Sequence, residues 1–169
     1  KVLQSYGNIM IPSESGELAS GLSGLGRLAE PETIVKFIEN DILRQLPLKN
    51  NTILITAGPT YEQIDPVRFI GNYSSGKMGF EIAKVASSFG AEVILVSGPS
   101  HETVDGYDIK RIDVSSSDEM YDNVHQFYSK CDVAILSAAV ADFKPQVKAS
   151  EKIKKRDVKL EIKLEPTKD

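Results

Sequence analysis

The sequence predicts an α/β protein with a doubly wound, mostly parallel Rossmann-like sheet and an irregular N-terminal extension. Short, continuously apolar runs at residues 53–55, 93–96 and 133–136 are typical of strands buried on both faces. Helical patterns lie between these runs, and repeated β-α-β units build a parallel sheet with right-handed crossovers. Ligands on such sheets bind at the carboxyl ends of the strands, where this chain places loops of small and polar residues.

The N-terminal part differs from the rest in composition. Residues 1–27 are rich in Gly and Ser and have no sustained period, so they are predicted to be loop, although their leucines are spaced as if something covers them. A helix is predicted to begin at Pro31, which suits a first helical position. Asparagines at 50 and 51 mark the boundary between two parts, residues 1–50 and 51–169.

The second part is predicted to alternate strands and helices. After the first strand, Ser74 or Ser75 caps a helix that Gly90 ends. A third strand is predicted at residues 109–114, with a helix after Ser117, and an antiparallel, half-exposed strand at residues 158–164. The predicted apolar face of the first of these helices is Met78, Ile82, Val85, Ala86 and Phe89.

Composition and charge exclude several classes of partner. The chain has 169 residues and a formal charge of −4, which gives no reason to expect a nucleic acid or an anionic membrane surface. No signal peptide and no apolar run of membrane-spanning length is visible. The single cysteine, Cys131, excludes an internal disulfide and suits a cytoplasmic protein. Because the chain begins at Lys1, we expect it to be a piece of a longer polypeptide.

The stretch at residues 53–79 predicts an anion site. A strand, a glycine loop and a helix N-terminus follow one another there, and free N–H groups at the start of a helix favour phosphate. Residues 71–77 fit the spacing of a P-loop, but Met78 stands where a P-loop needs Ser or Thr for Mg²⁺. The dinucleotide fingerprint G-x-G-x-x-G is also absent. Neither a P-loop NTPase nor an ordinary nicotinamide enzyme is therefore expected.

Several polar residues near the predicted sheet edge have two interpretations each. Asn72 either adopts a left-handed turn or donates hydrogen bonds to a developing oxyanion. Asp142 either caps a turn or binds a ribose hydroxyl or Mg²⁺. The lysines of residues 152–155, KIKK, are either a solvated face or a binding surface for a triphosphate. Spacing alone does not decide between these interpretations.

Three blocks together, AGPTYEQIDPVRFIGNYSSGKMG, SAAVADF and KIKK, closely resemble the 4′-phosphopantothenoylcysteine synthetase domain of bacterial coenzyme A biosynthesis. The resemblance covers residues 52–169. It implies a CTP-dependent ligase that activates 4′-phosphopantothenate as an acyl-cytidylate and couples it to cysteine, releasing pyrophosphate and CMP. Mg²⁺ is expected with the triphosphate. The implied assembly is a homodimer through the synthetase domain, or a higher oligomer of the full-length parent.

The same resemblance implies roles for individual residues. Asn72 would act on the acyl-cytidylate as cysteine adds, and Lys152 would stabilise the triphosphate. No metal ligand from the protein is expected. The residues implied in nucleotide binding are Gly58, Ser74, Ser75, Gly76, Ser137, Ala138, Asp142, Lys152, Glu165, Pro166, Thr167 and Lys168.

A second resemblance covers the N-terminal part. Residues 15–31, SGELASGLSGLGRLAEP, are similar to the closing substrate-recognition segment of the flavin-dependent decarboxylase that precedes the synthetase in bacteria. FMN would then bind upstream of this chain. Ser20 stands where that family often has a proton-donating cysteine, and a hydroxyl is a much weaker acid than a thiol. Two alternatives stay open on the same fold: an NAD(P)-dependent oxidoreductase and a non-catalytic nucleotide-binding domain.

Overall fold

The computed structural model describes residues 2–17, 20–155 and 160–168, without the side chains of residues 43 and 44. The chain divides into two compact units, Lys1–Leu46 and Pro47–Asp169. Within the described ranges, no helix combines the length and the apolar character that crossing a bilayer requires.

The first unit contains a hairpin that composition did not reveal. Its elements are α1 (Val2–Ser5), β1 (Glu14–Glu17), β2 (Ser23–Arg27) and α2 (Pro31–Gln45). Strands β1 and β2 pair antiparallel, so the prediction of loop throughout residues 1–27 is wrong. Glycine has a packing role in this hairpin, because a Cβ on Gly16 would lie 2.7 Å from Cδ of Arg27. Pro31 occupies the start of α2, as predicted.

The second unit is built on a four-stranded parallel sheet, which confirms the predicted fold class. The strands lie in the order β7-β6-β3-β8, with β3 in the interior of the sheet. In chain order the elements are β3 (Thr52–Ala57), β4 (Tyr61–Asp65), β5 (Arg68–Gly71), α3 (Lys77–Ser88), β6 (Glu92–Ser97), β7 (Ile109–Asp113), α4 (Ser117–Tyr128), β8 (Val133–Leu136), β9 (Phe143–Pro145) and β10 (Leu164–Pro166).

Each face of this sheet is covered by one helix. Alternate residues of a strand point to opposite faces, so Ile53 and Ile55 pack with α3 residues whereas Leu54 packs with Met120 of α4. Phe80 of α3 is fully buried in the first of these two clusters. This two-sided burial explains the continuous apolar runs of β3 and β6. The run of the edge strand β8 was predicted to be buried as well, but its Val133 and Leu136 are exposed.

The buried face of α3 agrees with the predicted one only in part. Ala86 is buried and Ile82 packs against the core as predicted, whereas Met78, Val85 and Phe89 are exposed. The other buried residues are Gly79, Phe80 and Ala83, and the small ones let the helix lie close against the sheet. A Cβ on Gly79 would lie only 2.6 Å from the Cβ of Ala57 and 2.7 Å from Oγ of Ser137.

Two short antiparallel pairs complete the unit, and both lie where the sequence predicted something else. Strands β4 and β5 form a hairpin within residues 58–71, which were expected to be a polar loop. A strand was predicted at residues 158–164. The observed strand β10, which pairs with β9, begins only at Leu164. Residues 158 and 159 of that predicted strand lie outside the described residues.

Candidate functional site

The loops that follow β3, β6 and β8 meet at the carboxyl edge of the sheet. Pro59 forms an isolated parallel bridge with Ala139, and the N–H of Ala139 donates to the Gly58 carbonyl at 2.8 Å. The loop after β6 lies so close that a Cβ on Gly98 would be 1.7 Å from the Pro59 oxygen. Glycine is therefore required at residue 98, and the predicted meeting of these three loops at one edge is confirmed.

The N-terminus of α3 lies at this edge and has no side-chain cap. Its N-cap is Gly76, in the left-handed conformation with φ +81, so the prediction that Ser74 or Ser75 is the cap is wrong. The hydroxyls of these two serines instead accept from the backbone N–H of Gly76 and Lys77, each at 3.3 Å. No acidic residue lies in the first turn. The positive end of this helix dipole is therefore left without a negative group of its own.

Gly76 also brings the loops together. A Cβ there would lie 3.0 Å from the Gly58 nitrogen and 3.3 Å from Oγ of Ser100. The Ser100 hydroxyl donates to the Ser75 carbonyl at 2.5 Å, which joins the loop after β6 to the loop before α3. The predicted site residues Gly58, Ser75 and Gly76 therefore surround one helix N-terminus.

Ser137 and Ala138 lie beside β3, where their polar groups bond to Thr56. The Ser137 hydroxyl donates to the Thr56 carbonyl at 2.5 Å. The backbone N–H groups of Ser137 and Ala138 donate to Oγ1 of Thr56 at 3.1 and 3.2 Å. These groups fix the loop after β8 to the sheet, so their function in this structure is to position the edge.

Asn72 connects the β4–β5 hairpin to the same loop. Its Nδ2 donates to the carbonyls of Ala139 and Val140, at 3.3 and 2.9 Å. The amide hydrogens that were expected to stabilise an oxyanion thus bond to backbone oxygens. Asn72 lies at the predicted edge of the sheet, and its observed contacts hold two loops together.

The C-terminal segment lies beside Asp142. The N–H of Thr167 donates to the Asp142 carbonyl at 3.0 Å, and its hydroxyl donates to the Ala141 carbonyl at 2.7 Å. Pro166 pairs with Phe143, while the Asp142 side chain is exposed. Glu165 and Lys168 extend toward α4, where Lys168 Nζ lies 4.9 Å from the centre of the Tyr121 ring.

Lys152 lies away from this helix N-terminus. It is exposed, in a loop whose described hydrogen bonds go to the β4–β5 hairpin. The remaining predicted residue, Ser20, is exposed and belongs to the first unit, in the connection between β1 and β2.

Sequence reasoning missed Glu62, which is 4% exposed. Its Oε1 accepts from the backbone N–H of Ser117 at 2.7 Å, at the start of α4. Ser116 and Glu119 add a capping box there, with the Glu119 carboxylate bonded to the N–H of Ser116. The Ser116–Glu119 spacing was visible in the sequence, but Glu62 lies 55 residues before Ser117 and carried no local signal.

A polar cavity of about 500 Å³ opens beside this capped helix. In it Lys144 Nζ lies 2.6 Å from Oδ2 of Asp118. This hydrogen bond raises the pKa of Lys144 and lowers the pKa of Asp118. Among the described residues, no cluster of three His, Cys, Asp or Glu side chains is suited to hold a metal ion. The lining residues are Tyr61, Glu62, Gln63, Ser115, Ser116, Asp118, Glu119, Lys144, Pro145, Gln146, Lys148 and Glu165.

Comparison with known proteins gives consistent relatives. A cysteine/cysteine sulfinic acid decarboxylase from an unknown prokaryotic organism is 48% identical over 99% of this chain and 48% of its own length. The coenzyme A biosynthesis bifunctional protein CoaBC of Bacillus subtilis is 43% identical over 99% of this chain and 42% of its own. The chain thus spans about half the length of these relatives.

A solved structure agrees with the sequence comparisons. The crystal structure of the C-terminal domain of a coenzyme A biosynthesis bifunctional protein CoaBC matches with a TM-score of 0.63 and 46% identity. The match covers 74% of this chain and 58% of that one. These relatives connect the chain with coenzyme A biosynthesis.

The comparisons correct the function expected from the sequence. The family model that matches residues 48–169 describes a flavoprotein, and the relative at 48% identity is a decarboxylase. The assignment to a CTP-dependent 4′-phosphopantothenoylcysteine synthetase, with ligase activity and with CTP and Mg²⁺, is therefore wrong. The chain belongs to the family of DNA/pantothenate metabolism flavoprotein C-terminal domains.

Proposed function

We propose that this chain is part of a flavin-dependent decarboxylase of coenzyme A biosynthesis that acts on 4′-phosphopantothenoylcysteine. The observation that carries the proposal is the 48% identity to a decarboxylase across 99% of the chain, which includes both compact units. The flavoprotein family model and the coenzyme A biosynthesis relatives support the cofactor and the metabolic context. In this proposal the Pro47–Asp169 unit binds the phosphate of the substrate.

The larger described cavity of the second unit does not fit the flavin ring itself. A ring binds in a pocket lined mainly by apolar and aromatic side chains. The cavity of about 500 Å³ is instead lined mainly by polar and charged side chains.

The open N-terminus of α3 is the proposed phosphate site. Backbone N–H groups and the positive end of the helix dipole favour an anion there, and α3 contributes no acidic residue in its first turn. The Lys77 side chain is exposed at the start of the helix and adds a positive charge. Gly58, Gly76 and Gly98 let the loops pack closely around this helix end, because side chains at these residues would meet neighbouring backbone atoms.

The first unit contains the segment that resembles a decarboxylase. The hairpin of β1 and β2 occupies most of this segment, residues 15–31. Ser20 is exposed next to this hairpin. Because a hydroxyl is a much weaker acid than a thiol, we do not assign Ser20 the delivery of a proton.

The test uses the complete natural polypeptide that carries this chain. We expect visible flavin absorption and release of CO₂ from 4′-phosphopantothenoylcysteine. The KM for the dephosphorylated substrate should be higher by roughly a hundredfold, the loss expected for two hydrogen bonds to a charged group. Lys77→Gln should raise the KM for the phosphorylated substrate by about tenfold. Lys84→Gln is the matched control, since Lys84 lies further along α3 in an ion pair with Glu81.

Two results would overturn the proposal. A purified polypeptide without flavin and without CO₂ release would exclude the decarboxylase. Equal KM values for the two substrates would exclude the phosphate site, even if the protein released CO₂.

A further inference from the structure

We propose that Asp65 and Arg68 form a clamp that positions the lysine loop, residues 152–155, on the β4–β5 hairpin. Asp65 and Arg68 are then positioning residues, because they hold the backbone between the lysines. We further propose that the lysines bind an anionic group of the ligand. That part rests on the anionic substrate of the proposed function, whereas the clamp itself does not.

The clamp holds both backbone polar groups of one residue. The N–H of Ile153 donates to Oδ2 of Asp65 at 3.0 Å, and Nη2 of Arg68 donates to the Ile153 carbonyl at 2.5 Å. The two clamp side chains also pair with each other, with Nη2 of Arg68 2.6 Å from Oδ2 of Asp65. The N–H and the carbonyl of Ile153 are thus both hydrogen-bonded, as they would be to a neighbouring strand. Here, however, the partners are side chains 85 or more residues away in the sequence.

Asp65 is organised for this task by its burial and its donors. It is 1% exposed, and its Oδ1 accepts from the N–H groups of Val67 and Arg68, each at 2.9 Å. Burial raises the pKa of Asp65, but the hydrogen bonds from Val67 and Ile153 and the Arg68 guanidinium outweigh it and lower the pKa to about 2. The carboxylate is therefore ionised at any ordinary pH.

The burial of the loop residues agrees with the clamp. Ile153 is half-buried, next to Ile64, and lines the small cavity near the hairpin, whereas Lys152, Lys154 and Lys155 are exposed. A further backbone bond, from the N–H of Ala149 to the Ile64 carbonyl at 2.9 Å, ties the start of this segment to β4. The pattern Lys-Ile-Lys-Lys thus combines one anchored residue with three exposed lysines.

The β4–β5 hairpin connects the clamp to the edge of the sheet. At the end of the hairpin opposite the clamp, Asn72 donates to the carbonyls of Ala139 and Val140 in the loop after β8. The hairpin therefore contacts the lysine loop at its turn and the sheet edge at its end. Releasing the clamp should free the lysines without disturbing the parallel sheet.

The test is amide hydrogen exchange of the protein without ligand. We expect Asp65→Asn to raise the exchange rate of the Ile153 N–H by about tenfold or more, the effect of losing a hydrogen bond to a charged group. Arg68→Gln keeps Asp65 and its two local N–H bonds, so it tests the clamp even if Asp65→Asn does not fold. Arg111→Gln is the matched control, since Arg111 also joins a carboxylate to a distant carbonyl, with bonds of 2.8 Å to Asp113 and to Glu102.

The proposal is overturned if neither variant changes the Ile153 rate, or if the amides of β3 and β6 lose protection equally. Titration with inorganic phosphate separates the clamp from the proposed function. Weaker phosphate binding in both Lys152→Gln and Arg68→Gln supports the clamp and the anion-binding role of the lysines. Phosphate binding that is absent from the wild-type protein would remove the anion role, while the exchange result would still decide the clamp.

Discussion

Helices α3 and α4 present their N-termini in opposite ways on the two faces of one sheet. At α4 the Ser116 hydroxyl accepts from the N–H of Glu119, and the carboxylates of Glu119 and Glu62 accept from the first N–H groups. At α3 the N-cap is Gly76 and no side chain caps the helix. The protein thus neutralises one helix end with its own carboxylates and leaves the other end open.

This difference identifies the end that is available to a ligand. A helix N-terminus attracts negative charge, and internal carboxylates satisfy that attraction at α4. Two acidic residues, Asp118 and Glu119, lie in the first turn of α4, whereas α3 has none. An external anion is therefore expected at α3, where glycine also permits close approach of the backbone.

The largest loss of stability is expected when a carboxylate is removed from the N-terminus of α4. Glu62→Ala would leave the N–H of the buried Ser117 without its acceptor, which costs about 1–3 kcal/mol of unfolding free energy. Glu62→Gln keeps an acceptor oxygen and should cost less than half as much. Urea unfolding measures both variants. Equal losses in the two would show that the negative charge, rather than the hydrogen bond, stabilises this end of α4.

A second prediction concerns a substitution at the N-terminus of α3. Gly76 and Gly106 both have φ +81, so alanine at either position costs roughly 1–2 kcal/mol in backbone strain. They differ in space: a Cβ on Gly76 meets the Gly58 nitrogen at 3.0 Å, whereas nothing lies within 4 Å of one on Gly106. We expect only Gly76→Ala to weaken phosphate binding, measured by calorimetric titration. Equal weakening in both variants would show that strain alone acts on the site.

The parallel sheet could be predicted because its signal is local. Each buried strand carries an apolar run, as in Val93 and Leu95 of β6, and Gly90 ends α3 with φ +89 after the C-cap Phe89. The hairpins were missed because short, exposed strands lack such runs. Strands β1 and β2 consist of Gly, Ser and Glu with one Leu and one Arg, a composition that is equally typical of a flexible linker.

The site could be predicted only in part, because its contacts join distant residues. The sequence placed Gly58, Gly76 and Ser137 at one edge, and the structure brings the loops of these residues together. It gave no sign that Glu62 would cap α4 or that Asp65 would hold Ile153, 88 residues away. Function was mistaken because motif resemblance selected the ligase, while the family match and the decarboxylase relative indicate a flavoprotein.

The smallest expected effect comes from replacing serines at the N-termini of α3 and α4. Ser116 belongs to a full capping box, so Ser116→Ala should cost about 1 kcal/mol of unfolding free energy. Ser75 accepts one N–H at 3.3 Å outside an N-cap position, so Ser75→Ala should cost only a few tenths of a kcal/mol. Urea unfolding of the two variants tests the difference. A loss at Ser75 as large as that at Ser116 would mean that α3 is capped by its own chain, and its N-terminus would then no longer be the end left for an anion.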